Sequence, residues 1–250
     1  MQRRMLTLCH HFIVTLRTVS HALFSRWPTA AFPPVLLVVL LTGGLLLGCG
    51  GGAAVAEDDP AATQDPTLPR TNFYEIRTEY GRMVIRLFDE TPAHRDNFKR
   101  LVQDSFYDGT TFHRVVDGFL IQGGDPNSKD VDLTNDGQGG PGYTIPAEID
   151  PDLTHRRGIV AAARPGDGQD PRRRSSGSQF YIVQGDASSL DGMHTVFGEL
   201  MEGFSVLDRI ASLPTRRNEK RPAPVWLADQ PPVPVYMQVR PLENYRSGAR

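Results

Sequence analysis

The sequence predicts a mainly β domain, a closed antiparallel barrel with two α-helices covering its ends. Three observations predict it. Short apolar runs of strand length recur between residues 72 and 240. The chain's 24 Gly and 20 Pro punctuate them with turns. Only two stretches, one after Thr91 and one from Phe204, carry apolar residues at helical spacing. With 39% apolar and 22% charged side chains, the composition excludes a disordered chain and a polytopic membrane protein.

The first segment is not part of that domain. Residues 1–30 hold Arg3, Arg4, Arg17 and Arg26 and no acid, leaving 23 bases against 29 acids in the rest. No charge occurs from Trp27 to Ala56, and Val35–Leu47 is the apolar centre. Arginines before a short apolar run match a secretory signal. Leu46-Leu47-Gly48-Cys49 also resembles a bacterial lipoprotein processing site, in which the cysteine receives lipid. A plain transmembrane anchor is the alternative, but the apolar run is short of the roughly 20 residues a span needs. The expectation is a leader over 1–49 with Cys49 as lipidation site, then a Gly-, Ala- and Pro-rich tether over 50–71. The folded domain covers 72–240 and a tail 241–250. The body lacks cysteine, so its stability comes from packing rather than disulfides.

Within the domain, Phe73–Thr78 and Met83–Phe88 read as strands around a turn at Tyr80-Gly81. Thr91-Pro92 starts a helix, with Thr91 as N-cap and Phe98, Leu101 and Val102 on its apolar face. Thr111–Ile121 has strand character, with Phe112, Arg114 and Val116 on one face by alternation. The glycine-rich stretch 123–147 reads as a long, mobile surface loop. Gly158–Ala163, Gln179–Val183 and Thr195–Leu200 are short buried runs. Phe204–Leu213 is helical up to Pro214, and Val233–Val239 is a last strand.

Several function classes find no support. Gly137-Gln138-Gly139-Gly140-Pro141-Gly142 matches G-x-G-x-x-G, yet Pro141 and Pro146 oppose the helix a dinucleotide site requires. The basic runs Arg172–Arg174 and Arg216–Arg221 lack the interleaved aromatics of a nucleic-acid surface. His113, His155 and His194 have no metal-ligand spacing. No G-x-S-x-G elbow is present.

Three segments carry the chemistry. They are Phe112–Asp125, reading FHRVVDGFLIQGGD; Ser176–Val183, reading SGSQFYIV; and Leu190–Gly198, reading LDGMHTVFG. In this order they resemble the signatures of the cyclophilin family of peptidyl-prolyl cis-trans isomerases, over about Asn72–Arg240. The resemblance implies an eight-stranded antiparallel barrel and catalysed rotation of X-Pro bonds without a cofactor. Arg114 matches the catalytic arginine. Phe119, Leu120, Tyr181, Leu190 and His194 match the proline pocket, and His113 its rim. Gln122 matches a glutamine that orients the arginine, and Gln179 a second polar contact. Ala163 and Arg164 belong to the segment whose backbone meets the residue before proline. Two departures stand out: Leu120 replaces a common methionine, and Tyr181 adds a hydroxyl to a phenylalanine position, making the pocket edge more polar. The implied partners are proline-containing polypeptides, including exported proteins if the leader reading holds, with a monomeric domain and no nucleic acid. A non-catalytic proline-binding module on the same fold is the alternative, resting on Tyr181 and the glycine-rich loop.

Overall fold

A computed structural model of the protein describes residues 65–218 and 227–246. The expected leader with Cys49, and residues 50–64 of the expected tether, lie outside them. Residues 65–71 pack on the first helix rather than trailing: Lys99 Nζ donates to the Pro69 carbonyl at 3.1 Å, and Leu68 is buried.

The strands are β1 (Phe73–Thr78), β2 (Gly81–Leu87), β3 (Arg114–Val116), β4 (Leu120–Gly123), β5 (Thr144–Ile145), β6 (Ile159–Ala162), β7 (Ser175–Ser176), β8 (Phe180–Val183), β9 (Val196–Glu202) and β10 (Gln238–Pro241). The helices are α1 (Pro92–Gln103) and α2 (Phe204–Ala211). Eight strands form one antiparallel sheet in the order β10-β1-β2-β9-β6-β8-β4-β3, while β5 and β7 pair separately.

The sheet is an open half-barrel, which corrects the expected closed barrel. Its end strands β3 and β10 do not pair. Between the chain near β3 and the approach to β10 there is one isolated bridge, Thr111 to Tyr236, with scattered backbone bonds such as Phe112 N–H to Val235 O at 2.9 Å. The reason is local. Pro231, Pro232 and Pro234 lack the N–H a ladder needs, so the strand expected from Val233 forms only at Gln238. The single strand expected over 111–121 is likewise a hairpin. Gly118, at φ +76°, takes the left-handed turn and places Arg114 opposite Gln122.

Alternation sorts the central strands onto two apolar clusters. Ile121, Val160, Ala162, Phe180 and Ile182 face the main core with Phe98 of α1 and Leu207 and Ile210 of α2. Their neighbours Leu120, Ile159, Ala161, Tyr181 and Val183 face a second, smaller cluster. Both faces of β6 and β8 are covered, which is why these strands read as unbroken apolar runs.

At the start of α1, Thr91 occupies the N-cap position, but its side chain makes no capping bond. Glu148 supplies the cap instead, accepting from the Ala93 and His94 amides at 2.9 Å each. The His94 ring also reaches Glu148 Oε2 at 2.6 Å and Ser175 Oγ at 2.9 Å.

Candidate active site

The β3–β4 hairpin presents Arg114 and Gln122 side by side, and β8 continues the row with Tyr181 opposite Gln122. Around Tyr181 the second cluster gathers Leu120 and Ala163, both buried, with Phe119 and Leu190 half-buried against it. The His194 ring stands edge-on to Tyr181, with centroids 5.7 Å apart. Thus Phe119, Leu120, Ala163, Tyr181, Leu190 and His194, dispersed over 76 positions in the chain, share one apolar cluster, buried at Leu120, Ala163 and Tyr181 and half-buried at Phe119, Leu190 and His194.

The polar groups lie beside that cluster. The Gln122 side chain donates to Gln179 Oε1 at 3.0 Å, and Gln179 donates to the carbonyls of Gly137 and Gly139 at 3.1 and 2.8 Å. The glycine-rich segment expected to be mobile is therefore held from within. Asp125, fully buried, also accepts from the Gly139 amide at 2.9 Å. The glycine-rich segment forms one wall of a groove of about 710 Å³ that runs past Gln122 and Gln179 to Ala163 and Arg164. A second cleft of about 560 Å³ begins at Gln122 and contains His113 and Arg114.

Several expected contacts are rearranged. Gln122 is paired with Gln179, not with Arg114; the guanidinium is held by Asp229, its Nε donating to Oδ2 at 3.3 Å. Ala163 does not offer its backbone, since its N–H donates to Gln179 O and its carbonyl accepts from Ser176 N–H. The Arg164 side chain turns inward as well, donating to Met193 O at 2.7 Å and pairing with Asp167 at 2.6 Å. The Arg164 main chain makes no hydrogen bond among the described residues, so it is the group open to a peptide.

The Tyr181 hydroxyl does not make the pocket edge more polar. It lies 2.9 Å from His155 Nε2, and His155 Nδ1 lies 2.8 Å from Asp191 Oδ1. A carboxylate only accepts, so Nδ1–H donates to Asp191 and neutral Nε2 accepts from Tyr181. Burial lowers the His155 pKa below its ordinary value, and bonds from the His155 amide and ring hold Asp191 low. Asp191 sits in the turn that bears Leu190 and His194, so this relay ties Tyr181 to that side of the cluster. Sequence reasoning missed His155 and Asp191 as a pair, because 36 residues separate them.

His113 and His194 also stay neutral. Burial pushes both imidazoles down to about 4, with the positive Arg164 adding to the effect at His194. Among the described residues, neither ring nitrogen of His113 has a hydrogen-bond partner. The three imidazoles thus add no charge beside Arg114, whose side chain is 36% exposed.

The family model described as cyclophilin type peptidyl-prolyl cis-trans isomerase/CLD matches residues 73–229. A peptidyl-prolyl cis-trans isomerase of Synechococcus elongatus is 43% identical over 132 residues, covering 52% of this chain and 81% of that protein. One from Helicobacter pylori is 38% identical over 152 residues, covering 59% of this chain and 85% of that protein. A crystal structure of a cyclophilin type isomerase from Cryptosporidium parvum, in the presence of the dipeptide Ala-Pro, superposes with TM-score 0.57. Its identity is 29%, over 69% of this chain and 99% of that one. Three signatures in order, one half-barrel and these matches lead to one assignment: the chain belongs to the cyclophilin type peptidyl-prolyl cis-trans isomerase family.

Proposed function

We propose that the chain accelerates rotation about X-Pro bonds, with Arg114 as the catalytic residue and the Tyr181 cleft as the seat of the proline ring. The observation that carries this is the strand register, which sets Arg114 next to Gln122 and Gln122 next to Tyr181 of the apolar cluster. Amide conjugation opposes rotation with a barrier of ~18–20 kcal/mol. As the bond twists, the prolyl nitrogen regains its lone pair. A guanidinium N–H aimed there bonds the twisted amide better than the planar one, and that difference lowers the barrier. Arginine suits the role because it is always charged and its donors are held in a rigid plane. No proton is permanently transferred and no covalent intermediate forms, so no cofactor enters.

Phe119, Leu120, Leu190 and His194 grip the ring, while Gln122, Gln179 and the Arg164 main chain meet the preceding backbone. Ala163 contributes its methyl group. His113 stiffens the rim. Arg114→Ala should lower kcat/KM on a proline tetrapeptide by about 100-fold or more with the fold unchanged. Unaltered turnover in that variant would remove Arg114 from the mechanism.

The substrates in this reading are loops of exported polypeptides met at a bacterial cell envelope. Its support is the arginine-rich, apolar leader ending at Leu46–Cys49. Cys49→Ser should shift the protein from membrane to soluble fractions. Retention of the variant in membranes favours a proteinaceous anchor instead.

A further inference from the structure

Arg114 needs a fixed direction, and the side chain expected to provide it is engaged elsewhere. Gln122 gives its amide to Gln179, which in turn holds the glycine-rich wall. The partner that Arg114 does have is Asp229. This carboxylate comes from the stretch after α2, not from any of the three signature segments.

We infer that Asp229 is a positioning residue for Arg114, holding the guanidinium by its Nε edge so that its Nη donors face the proline cleft. The inference rests on Arg114 being the catalytic residue. Four features make Asp229 a built support. Its main-chain carbonyl accepts from the Val115 amide at 2.8 Å, locking it beside the very strand that bears Arg114. Its second oxygen accepts from Arg217 Nη2 at 2.5 Å and Nε at 3.2 Å, which fixes the carboxylate from the far side. The next residue, Gln230, donates to Asp136 Oδ2 at 2.6 Å and to Leu133 O at 3.1 Å, anchoring the stretch independently of the ion pair. Leu227, 4% exposed, adds an apolar anchor.

The geometry of the bond matters. Among the described residues, only Nε of Arg114 donates a hydrogen bond, so the two Nη groups remain available. A carboxylate on the Nη edge would compete with substrate; on Nε it restricts rotation and leaves the working edge open. Arginine carries considerable rotamer freedom, and a planar donor fixed before substrate arrives loses less of it in the transition state. The carboxylate also diminishes the field of the guanidinium, so the arrangement favours direction over raw charge.

The test uses the full chain and an uncharged proline tetrapeptide. Asp229→Ala should lower kcat on the order of tenfold with KM nearly unchanged, because orientation is needed in the twisted state. Asp229→Glu should recover part of that loss. Since the Arg114 and Asp229 side chains are 36% and 17% exposed, salt weakens their attraction. Wild-type kcat should therefore decline towards about 1 M NaCl, where the screening length is ~3 Å, and Asp229→Ala should be flat. A purely structural role would lower stability without this salt signature. Wild-type kcat in Asp229→Ala, or an increase, overturns the inference. Arg114→Ala run in parallel separates the two failures: if it too is fully active, the catalytic assignment itself is at fault.

Discussion

Two buried imidazoles in this protein have the same neighbours and different surroundings. His94 lies between Glu148 and Ser175; His155 lies between Asp191 and Tyr181. Each is a carboxylate–imidazole–hydroxyl chain with distances of 2.6–2.9 Å. On geometry alone, Ser175–His94–Glu148 has the parts of a nucleophile, base and orienter. Yet Ser175 is 1% exposed, and the group links the start of α1 to β7 within the packed interior. The His155 chain ends instead on the Tyr181 ring. The same hydrogen-bond pattern supports a helix start in one place and the second apolar cluster in the other. What differs is the strand that bears the hydroxyl: Ser175 lies in the separate β5–β7 pair, and Tyr181 on β8 of the eight-stranded sheet.

This contrast can be broken by experiment. The largest effect should come from His94→Leu, which strands Ser175 and removes the ring contact with Glu148. It should cost about 3 kcal/mol of stability, read by denaturant unfolding, with kcat/KM of the folded protein unchanged. A large catalytic defect there would mean the two chains are functionally alike. Next, His155→Leu should cost about 2 kcal/mol and raise KM about threefold, because the Tyr181 ring loses its anchor. Adding Tyr181→Phe removes the stranded hydroxyl, so the double variant should lose less than the sum of the singles, by about 1 kcal/mol. Strict additivity would show that the relay carries no coupling.

The smallest effect is pH dependence. His113 and His194 have an ordinary value of 6.5 when unfolded and about 4 when folded, and His155 is also lowered. Between those values the unfolded chain binds more protons. Stability should therefore fall as pH drops from 6.5 towards 4, by about 1 kcal/mol for each of His113 and His194 over the first pH unit. Asp136 acts in the other direction. Burial raises it from 3.8 to about 6, so its folded form gains relative stability as pH falls through that window. His113→Leu should flatten the acid limb of an unfolding profile; an unchanged slope would place the acid sensitivity elsewhere.

Much of the fold was legible because its signals are local. Alternation located β1 and β2, and the spacing of Val206, Leu207 and Ile210 located α2. The resemblance of three segments marked Arg114, Phe119, Leu120, Tyr181 and His194 before any geometry. The illegible parts depend on distant partners. Thr91 has the right side chain for an N-cap, but Glu148 takes the work from 55 residues away. Gln122 lies beside Arg114 as expected, but Gln179 claims its amide. Tyr181 looked like a polar intrusion until His155 absorbed its hydroxyl. The prolines at 231, 232 and 234 are plain in the sequence, yet the closed barrel is predicted from the number of short strands, which takes no account of their missing donors.

By itself the amino-acid order determined the first strands and the two helices, which follow from periodicity and side-chain type acting over a few residues; the side chains expected to grip a proline were marked only by the resemblance of three segments to the family's signatures. The tertiary structure alone decided which hydrogen-bond donors are spent and which remain open. A buried polar group must find a partner wherever the folded chain places one. Along the sequence Asp229 is one acid among 29; in space it is the carboxylate that holds Arg114.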